Sequence, residues 1–469
     1  MNNDSTERVS TGLQTWIRSA APGSQLPSNR ELVAQYGVSP VTVQKAMKVL
    51  SARGLVESRP GVGTFVRPAH TTGPVDYSWQ TAALAAPQHR GPSLSATQRT
   101  VTAEMISLHS GYPSRELLPE KLVRTALARA ARTESAMTRS PAQGLPELQA
   151  WFAGQVAAET PHHVTPPAAR DAIILNGSQS GLSSVFRSVV GAGGTLLVES
   201  PTYWGAILAA RQTGVELVPV PAGPSGPDPE DLDRAFAETG ARAFYAQPNF
   251  ANPTGVQWSL ERGEAVLGVV QEHGAFLIED DWAHDLGIDA ESRPLVAHDR
   301  DGRVIYLRSL TKSVSPSLRV AAVIARGPAR ERILADRAAE AMYVSGILQA
   351  AALDVVTQPG WATHLRGFRT RLRTRRDHLI GSLQKCLPEA HIERAPLGGL
   401  NLWVRMPDGV DVDQLARDAY VKGLVIAPGT EWFPAEPAGP YIRLNYCGPD
   451  PERFDEGIEL LKRALDDAH

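Results

Sequence analysis

Apolar positions in the first 68 residues fall at helical spacing, and turn residues punctuate them. Val9, Leu13 and Ile17 recur every four residues. Ser28-Asn29-Arg30-Glu31 is a capping box, in which serine and glutamate satisfy each other's free backbone amides. It predicts a short helix through Leu32 and Val33 to Tyr36, closed by Gly37. Ser39 is then an N-cap with Pro40 at the first helical position. Val43, Ala46, Met47 and Leu50 make one apolar stripe, opposite Thr42, Gln44, Lys45 and Lys48, and Gly54 ends the helix. Leu55-Val56-Glu57 and Thr64-Phe65-Val66 read as strands around the glycine-rich turn Arg59-Pro60-Gly61-Val62-Gly63. From Pro68 through Thr100 periodicity fades into Pro, Ala, Thr, Ser, Gly and Gln, which predicts a flexible connector. Tyr77 and Trp79 would either anchor it or stand exposed.

Beyond the connector, strand-like runs alternate with helical stretches. The runs are 173–175, 195–198, 215–218, 243–246, 276–278, 304–307 and 320–324. Such alternation predicts an α/β body, a parallel or mixed sheet with helices on both faces. Ligands then bind beyond the carboxyl ends of the strands.

Composition changes the picture in one respect. The net charge of −3 is unevenly spread. Residues 1–68 hold eight Lys/Arg against four Asp/Glu, and the remainder holds 39 against 46. A small basic module on an acidic body points to a polyanion partner for the module. Cys386 and Cys447 give no disulfide framework and fit a reducing, cytoplasmic setting. No apolar run suggests a signal or a membrane span, and no metal site is predicted.

The candidate chemistry follows strand ends. Lys312 lies in Ser309-Leu310-Thr311-Lys312-Ser313-Val314-Ser315-Pro316-Ser317-Leu318-Arg319, just after the strand 304–307. A lysine at the mouth of a sheet is partly desolvated, which frees its lone pair for attack on a carbonyl. Ser309 and Arg319 suit a phosphate. Together they suggest pyridoxal phosphate (PLP), which forms a Schiff base with lysine. The same stretch would serve equally as a surface lysine in a serine-rich loop. Asn176-Gly177-Ser178-Gln179-Ser180-Gly181 opens a helix whose free amides suit a phosphate, or is simply a helix start. Tyr203 could stack on a flat heterocycle or pack in the core. Asn252, fixed by Pro253, could donate to a ring oxygen, although turn chemistry also explains Asn-Pro-Thr-Gly. Glu279-Asp280-Asp281 ends a strand with three carboxylates; a buried one beside a pyridine nitrogen keeps it protonated, while a helix N-terminus also attracts acids. The arginine-rich run from Trp361 to Asp377 reads as a helix with a solvated basic face.

Two short helices, a tight turn and a hairpin make a winged helix-turn-helix. The first module resembles the GntR family of bacterial regulators through Leu26 to Leu32, Gly37-Val38-Ser39, Thr42-Val43 and Gly61 to Phe65. That resemblance implies Arg30, Ser39, Thr42 and Gln44 as DNA contacts, with Lys45 and Lys48 neutralising phosphates. Pro40 and Val62 stand where the family usually has arginine. The second module resembles the fold type I PLP enzymes, the aminotransferases. The order carries it: Gly-Ser-Gln turn, Pro-Thr-Tyr, Asn-Pro-Thr-Gly, Asp-Asp-aromatic, Ser-x-x-Lys, then arginine seven after the lysine. The resemblance implies Lys312 as Schiff base, Asp280 on the pyridine nitrogen, Asn252 on the ring hydroxyl and Tyr203 over the ring. It implies Ser178, Gln179, Ser309 and Arg319 on the phosphate, and Arg443 as clamp for a substrate carboxylate. Trp282 stands where that family has a tyrosine that bonds the ring oxygen, and its indole N–H is the candidate substitute. Arg139 stands near where a partner-subunit tyrosine usually reaches the phosphate.

The whole chain is similar to the MocR subfamily of transcription regulators. The expected organisation is a winged helix-turn-helix head at 1–68, a connector at 69–105 and an aminotransferase-like body at 106–469, large part 106–330 and small part 331–469. The expected partners are a double-stranded DNA operator, a small amine or amino acid effector and a second copy of the chain, without a membrane. Sensing would proceed by imine exchange at Lys312, or PLP itself would be the sensed molecule. The competing class is a working aminotransferase that carries a DNA-binding head.

Overall fold

The computed structural model describes residues 2–68, 80, 83 and 95–467. Most of the expected connector, with Tyr77 and Trp79, lies outside the described residues. The chain forms two compact units, Met1–Arg90 and Gly91–His469.

The first unit holds α1 (Asn2–Ser19), α2 (Asn29–Tyr36), α3 (Pro40–Ala52), β1 (Val56–Arg59) and β2 (Gly63–Val66). Val9, Leu13, Leu32, Val43, Ala46, Leu50, Val56 and Val66 share one small core. β1 and β2 pair antiparallel from Val56↔Val66 to Arg59↔Gly63, the wing read from the sequence. The capping box is formed. Ser28 N–H donates to the Glu31 carboxylate at 2.7 Å, and Glu31 N–H donates to the Ser28 hydroxyl. These bonds hold the Glu31 carboxyl below its ordinary range. Ser28→Ala is expected to cost about 1 kcal/mol of head stability, read as a lower denaturation midpoint at unchanged slope.

The second unit is built on eight strands: β4 (Ala172–Leu175), β5 (Thr195–Ser200), β6 (Glu216–Gly223), β7 (Gly226–Pro227), β8 (Ala243–Ala246), β9 (Phe276–Asp281), β10 (Val304–Ser309) and β11 (Ala321–Ile324), following β3 (Ile106–Ser107). The order across the sheet is β4-β11-β10-β9-β8-β5-β6-β7. The pairs from β10 to β6 are parallel, and β11 runs antiparallel to both neighbours. Successive side chains serve opposite faces, so both faces are covered. Tyr245 and Ile278 enter one core, Phe244 and Leu277 the other. Because β11 reverses, the loop that leaves β10 returns to the same edge. The end of β10 and the loop after it therefore deliver Ser309, Lys312 and Arg319 together.

The small lobe joins β12 (Asn401–Arg405), β14 (Ala427–Pro428) and β15 (Tyr441–Asn445) in one sheet, with β13 (Leu424–Val425) paired to β3. This corrects the expected boundary at 330. Ile106, Leu108 and Leu117 pack in the small-lobe core with Leu402, Leu444 and Leu461, because β3 donates its backbone to β13. The helices Gly327–Ala341 and Gly346–Thr357 belong to the large lobe instead, with Ile333 against the main sheet and Val355 beside Ile174.

The helix Pro359–Cys386 serves both lobes: Trp361 lies in the large-lobe core, Phe368 and Leu372 in the small-lobe core. Leu365 packs against both. Its arginines do not all face water, as the solvated reading held. Arg375 is buried against Gly448 O and Glu116, and Arg376 against Asp289 and Pro396 O. A buried guanidinium needs acceptors on every side, and these two find them. No described helix is long and apolar enough to cross a membrane.

Candidate functional site

The carboxyl ends of β4, β5, β8, β9 and β10 open onto one cavity. Every residue expected at a cofactor lines it: Ser178, Gln179, Tyr203, Asn252, Asp280, Trp282, Ser309, Lys312, Arg319 and Arg443.

One end of the cavity is a cradle for an anion. Gly177, with φ of 85°, precedes the helix Ser178–Val185. A side chain at Gly177 would press on the Arg319 guanidinium at about 3 Å, so glycine is what lets Arg319 approach. Arg319 itself sits at φ of 51°, a conformation a non-glycine residue adopts only under constraint. Gln179 donates to Gly205 O at 2.7 Å and accepts from the Tyr203 hydroxyl at 3.2 Å. Burial pushes the Tyr203 phenol up, so it stays a donor.

The floor is Asp280. On β9 the carboxylates alternate. Glu279 accepts from the backbone N–H of Leu295 and Val296, and Asp281 from Tyr306, Ser292 and His284. Only Asp280 turns to the cavity. Its Oδ2 accepts from Tyr245 and Gln247, each at 2.8 Å, while its buried Oδ1 has no partner among the described residues. Burial raises its pKa to about 6, against the pull of those two bonds. An unpartnered buried carboxylate oxygen is costly unless something donates to it.

Between floor and cradle stands Lys312. Burial drives its amine well below an ordinary lysine, and the Arg443 and Arg319 charges push the same way. The ring centroid of Tyr112 lies 3.1 Å from its Nζ. At the small-lobe wall, Arg443 on β15 is fully buried over Trp432, at 4.7 Å. It donates to Asn252 Oδ1 at 3.2 Å and to His109 O at 2.6 Å, and its Nε has no partner among the described residues. Burial lowers its pKa only to about 10, so it remains a cation at neutral pH.

Two expectations need correction. Trp282 does not offer its indole N–H to the cavity, because that group donates to Phe250 O at 3.2 Å. Phe250, with φ of 53°, presents the carbonyl there. Arg139, expected at a partner subunit's phosphate, is exposed on its own chain. The stretch through residue 105 is not wholly connector: Ser95, Ala96 and Thr97 are buried in the body, and Thr97 and Gln98 line the cavity. Sequence reading also missed Tyr112, Trp204, Gln247 and Thr311. Gln247 directly follows β8, so the carboxyl-end rule already pointed to it.

In the head, Arg30, Gln44, Lys45 and Lys48 are exposed. The Ser39 hydroxyl accepts the Thr42 N–H and lies 2.9 Å from the Thr42 hydroxyl, so both help to cap α3. Val62 is exposed at the tip of the wing.

The family model described as aminotransferase class I and II matches residues 103–461, and that of bacterial regulatory proteins, gntR family, matches residues 5–66. The chain is 30% identical to a 2-aminoadipate transaminase of Thermus thermophilus over 79% of this chain and 92% of that protein. It is 28% identical to the probable rhizopine catabolism regulatory protein MocR of Rhizobium meliloti over 94% and 89% of the two chains. Among solved structures, it is similar to the T. thermophilus α-aminoadipate aminotransferase LysN complexed with N-(5'-phosphopyridoxyl)-L-leucine. That likeness has a TM-score of 0.72 and 28% identity, covering 78% of this chain and 93% of that one. The cavity fits the PLP these relatives imply: an anion cradle, an amine that holds its proton weakly and an acid oxygen unpaired among the described residues, free for a ring N–H. With most of its length inside one family model and residues 5–66 inside the other, the chain belongs to the aminotransferase class I and II family and has the two-part build of the MocR-type, PLP-dependent transcription regulators.

Proposed function

We propose that this protein is a DNA-binding regulator whose ligand is an amine, an amino acid or PLP, read at Lys312. The observation that carries the reading is the depressed Lys312 amine sharing a cavity with the unpartnered oxygen of Asp280, in a chain that also has a GntR-type head. Bound PLP supplies an aldehyde for an amine to condense with and a ring that withdraws electrons. The chain's own residues do the rest. Ser178, Gln179, Ser309 and Arg319 would hold the phosphate, and Tyr203 would lie against the ring. Asp280 would accept from the ring nitrogen through its free Oδ1. Asn252 would offer its amide to the ring hydroxyl, and Arg443 would orient an incoming carboxylate near Lys312. In the head, Arg30, Ser39, Thr42 and Gln44 address base edges, and Lys45 and Lys48 neutralise phosphates. Acting as a cytoplasmic homodimer, the two heads take two half-sites of one operator. A ligand shifts DNA affinity only through its differential affinity for two arrangements of the protein.

The test is fluorescence anisotropy of full-length holo-protein on duplex from upstream of its own gene, with and without an amino acid panel and with PLP withheld. A ligand-dependent change in DNA affinity supports the reading; equal affinity under every condition sinks it. Asp280→Asn is expected to weaken PLP binding by tenfold to a hundredfold, since a hydrogen bond to a charged group contributes about 1.5–3 kcal/mol. Titration of the visible absorbance band checks this.

The gathering of Lys312, Asp280 and Arg443 at one cavity also favours a second reading, a working transaminase. Keto product exceeding one equivalent per protein, with amino acid and keto acid supplied, would establish turnover.

A further inference from the structure

Four positions of α3 share one face at a spacing of three and four residues: Val41, Gln44, Lys45 and Lys48. All four are exposed, while Val43, Ala46 and Leu50 enter the head's core from the other side of the helix. Three of the four are polar or cationic, as a face turned to a polyanion should be. The remaining one is apolar. Val41 is 59% exposed in the first turn of the helix. A surface valine standing alone needs no explanation. This one heads the stripe that carries the lysines, at the helix end that meets base edges when a recognition helix enters a major groove.

The small polar side chains beside it are already engaged. Ser39 accepts the Thr42 N–H, and the two hydroxyls lie 2.9 Å apart, so one proton of the pair is spent between them. Gln44, about one turn along, is exposed, and its amide bonds to no other described residue. α3 carries no arginine, the side chain that most often reads guanine. What this end of the helix presents is therefore a pair of methyl groups and an unengaged carboxamide. In a major groove those match the C5-methyl of thymine and the N6/N7 edge of adenine. Three residues of helix rise about 4.5 Å and a base-pair step rises about 3.4 Å, so the two side chains reach pairs no more than about two steps apart.

Resting on the DNA-binding reading above, we propose that Val41 packs on a thymine methyl and that Gln44 pairs with an adenine within two steps of it. Each half-site is thus read through A·T pairs at this end of α3. Lys45 and Lys48, farther along the same face, hold the helix on the phosphates.

The experiment selects duplexes from a random library with the full-length protein, once with PLP present and once with it withheld. Fluorescence anisotropy then measures affinity for the selected site. Each thymine of a half-site is replaced in turn by uracil, which removes only the methyl group. At one thymine the natural protein should lose about fourfold in affinity, the effect of one buried methyl. Val41→Ala, a surface change that leaves the head's core untouched, should bind the thymine and uracil forms of that site alike. Gln44→Ala should lose at least about fivefold in discrimination between A·T and G·C at a pair within two steps of that thymine. A natural protein indifferent to every uracil, a Val41→Ala variant that keeps the full uracil penalty, a Gln44→Ala variant with unchanged discrimination, or a half-site made of G·C pairs alone overturns this proposal and leaves the DNA-binding reading standing. A library from which nothing is enriched under either condition overturns that reading and this proposal with it.

Discussion

Lys312→Ala abolishes covalent capture of the cofactor. Borohydride treatment of holo-protein followed by peptide mapping is expected to place a phosphopyridoxyl mass on the peptide that carries Lys312, and to find none in the variant. Solvation decides this outcome. A lysine amine in water is protonated at neutral pH and has no lone pair to offer. Lys312 is packed against Tyr112 with Arg443 and Arg319 nearby, so its proton is held weakly. Among the described residues no other lysine lines this cavity, so no substitute amine is at hand. The same physics has a stability side. Below the ordinary lysine pKa the unfolded chain binds a proton here that the folded chain resists. Stability therefore falls as pH drops from that value toward the depressed one. The cofactor-free variant is expected to melt higher than the cofactor-free parent at neutral pH, and to lose part of the parent's pH dependence. A mapped adduct elsewhere in the chain would remove the basis for the proposed function.

Arg443→Met separates ligands by their carboxylate. Apparent affinity for an amino acid is expected to fall about a hundredfold, the consequence of losing a buried, hydrogen-bonded charge partner worth about 2–5 kcal/mol. Affinity for the matching amine, which lacks the carboxylate, should change far less. Methionine fills the space over Trp432 without burying a new polar group. Equal losses for the amino acid and its amine would show that Arg443 supports the wall of the cavity rather than the ligand.

Much of this was legible in the chain because local periodicity carried it. The capping box, the stripe on α3 and the alternating strand runs each occupy a few residues that answer to one another. Once the strands were placed, the carboxyl-end rule gathered the polar residues at one edge. What escaped depends on partners distant in sequence. Ala96 is fixed by a residue 335 positions away, and nothing in its neighbourhood reports that. Arg375 and Arg376 look like the other arginines of their helix, and what sets them apart is burial against acceptors distant in sequence, Gly448 O and Glu116 for one and Pro396 O and Asp289 for the other. Trp282 was given a free donor because the sequence does not show that Phe250 turns its carbonyl toward it.

Leu365 touches the cores of both lobes from within a single helix that continues to Cys386. That makes it a fulcrum, and the helix beyond it a lever roughly 30 Å long at about 1.5 Å per residue. A tilt of about 5° at the fulcrum displaces the far end by roughly 3 Å, enough to carry one packed surface across the width of an atom. A tilt of that size needs no unfolding, since the helix keeps its own hydrogen bonds while its far end moves.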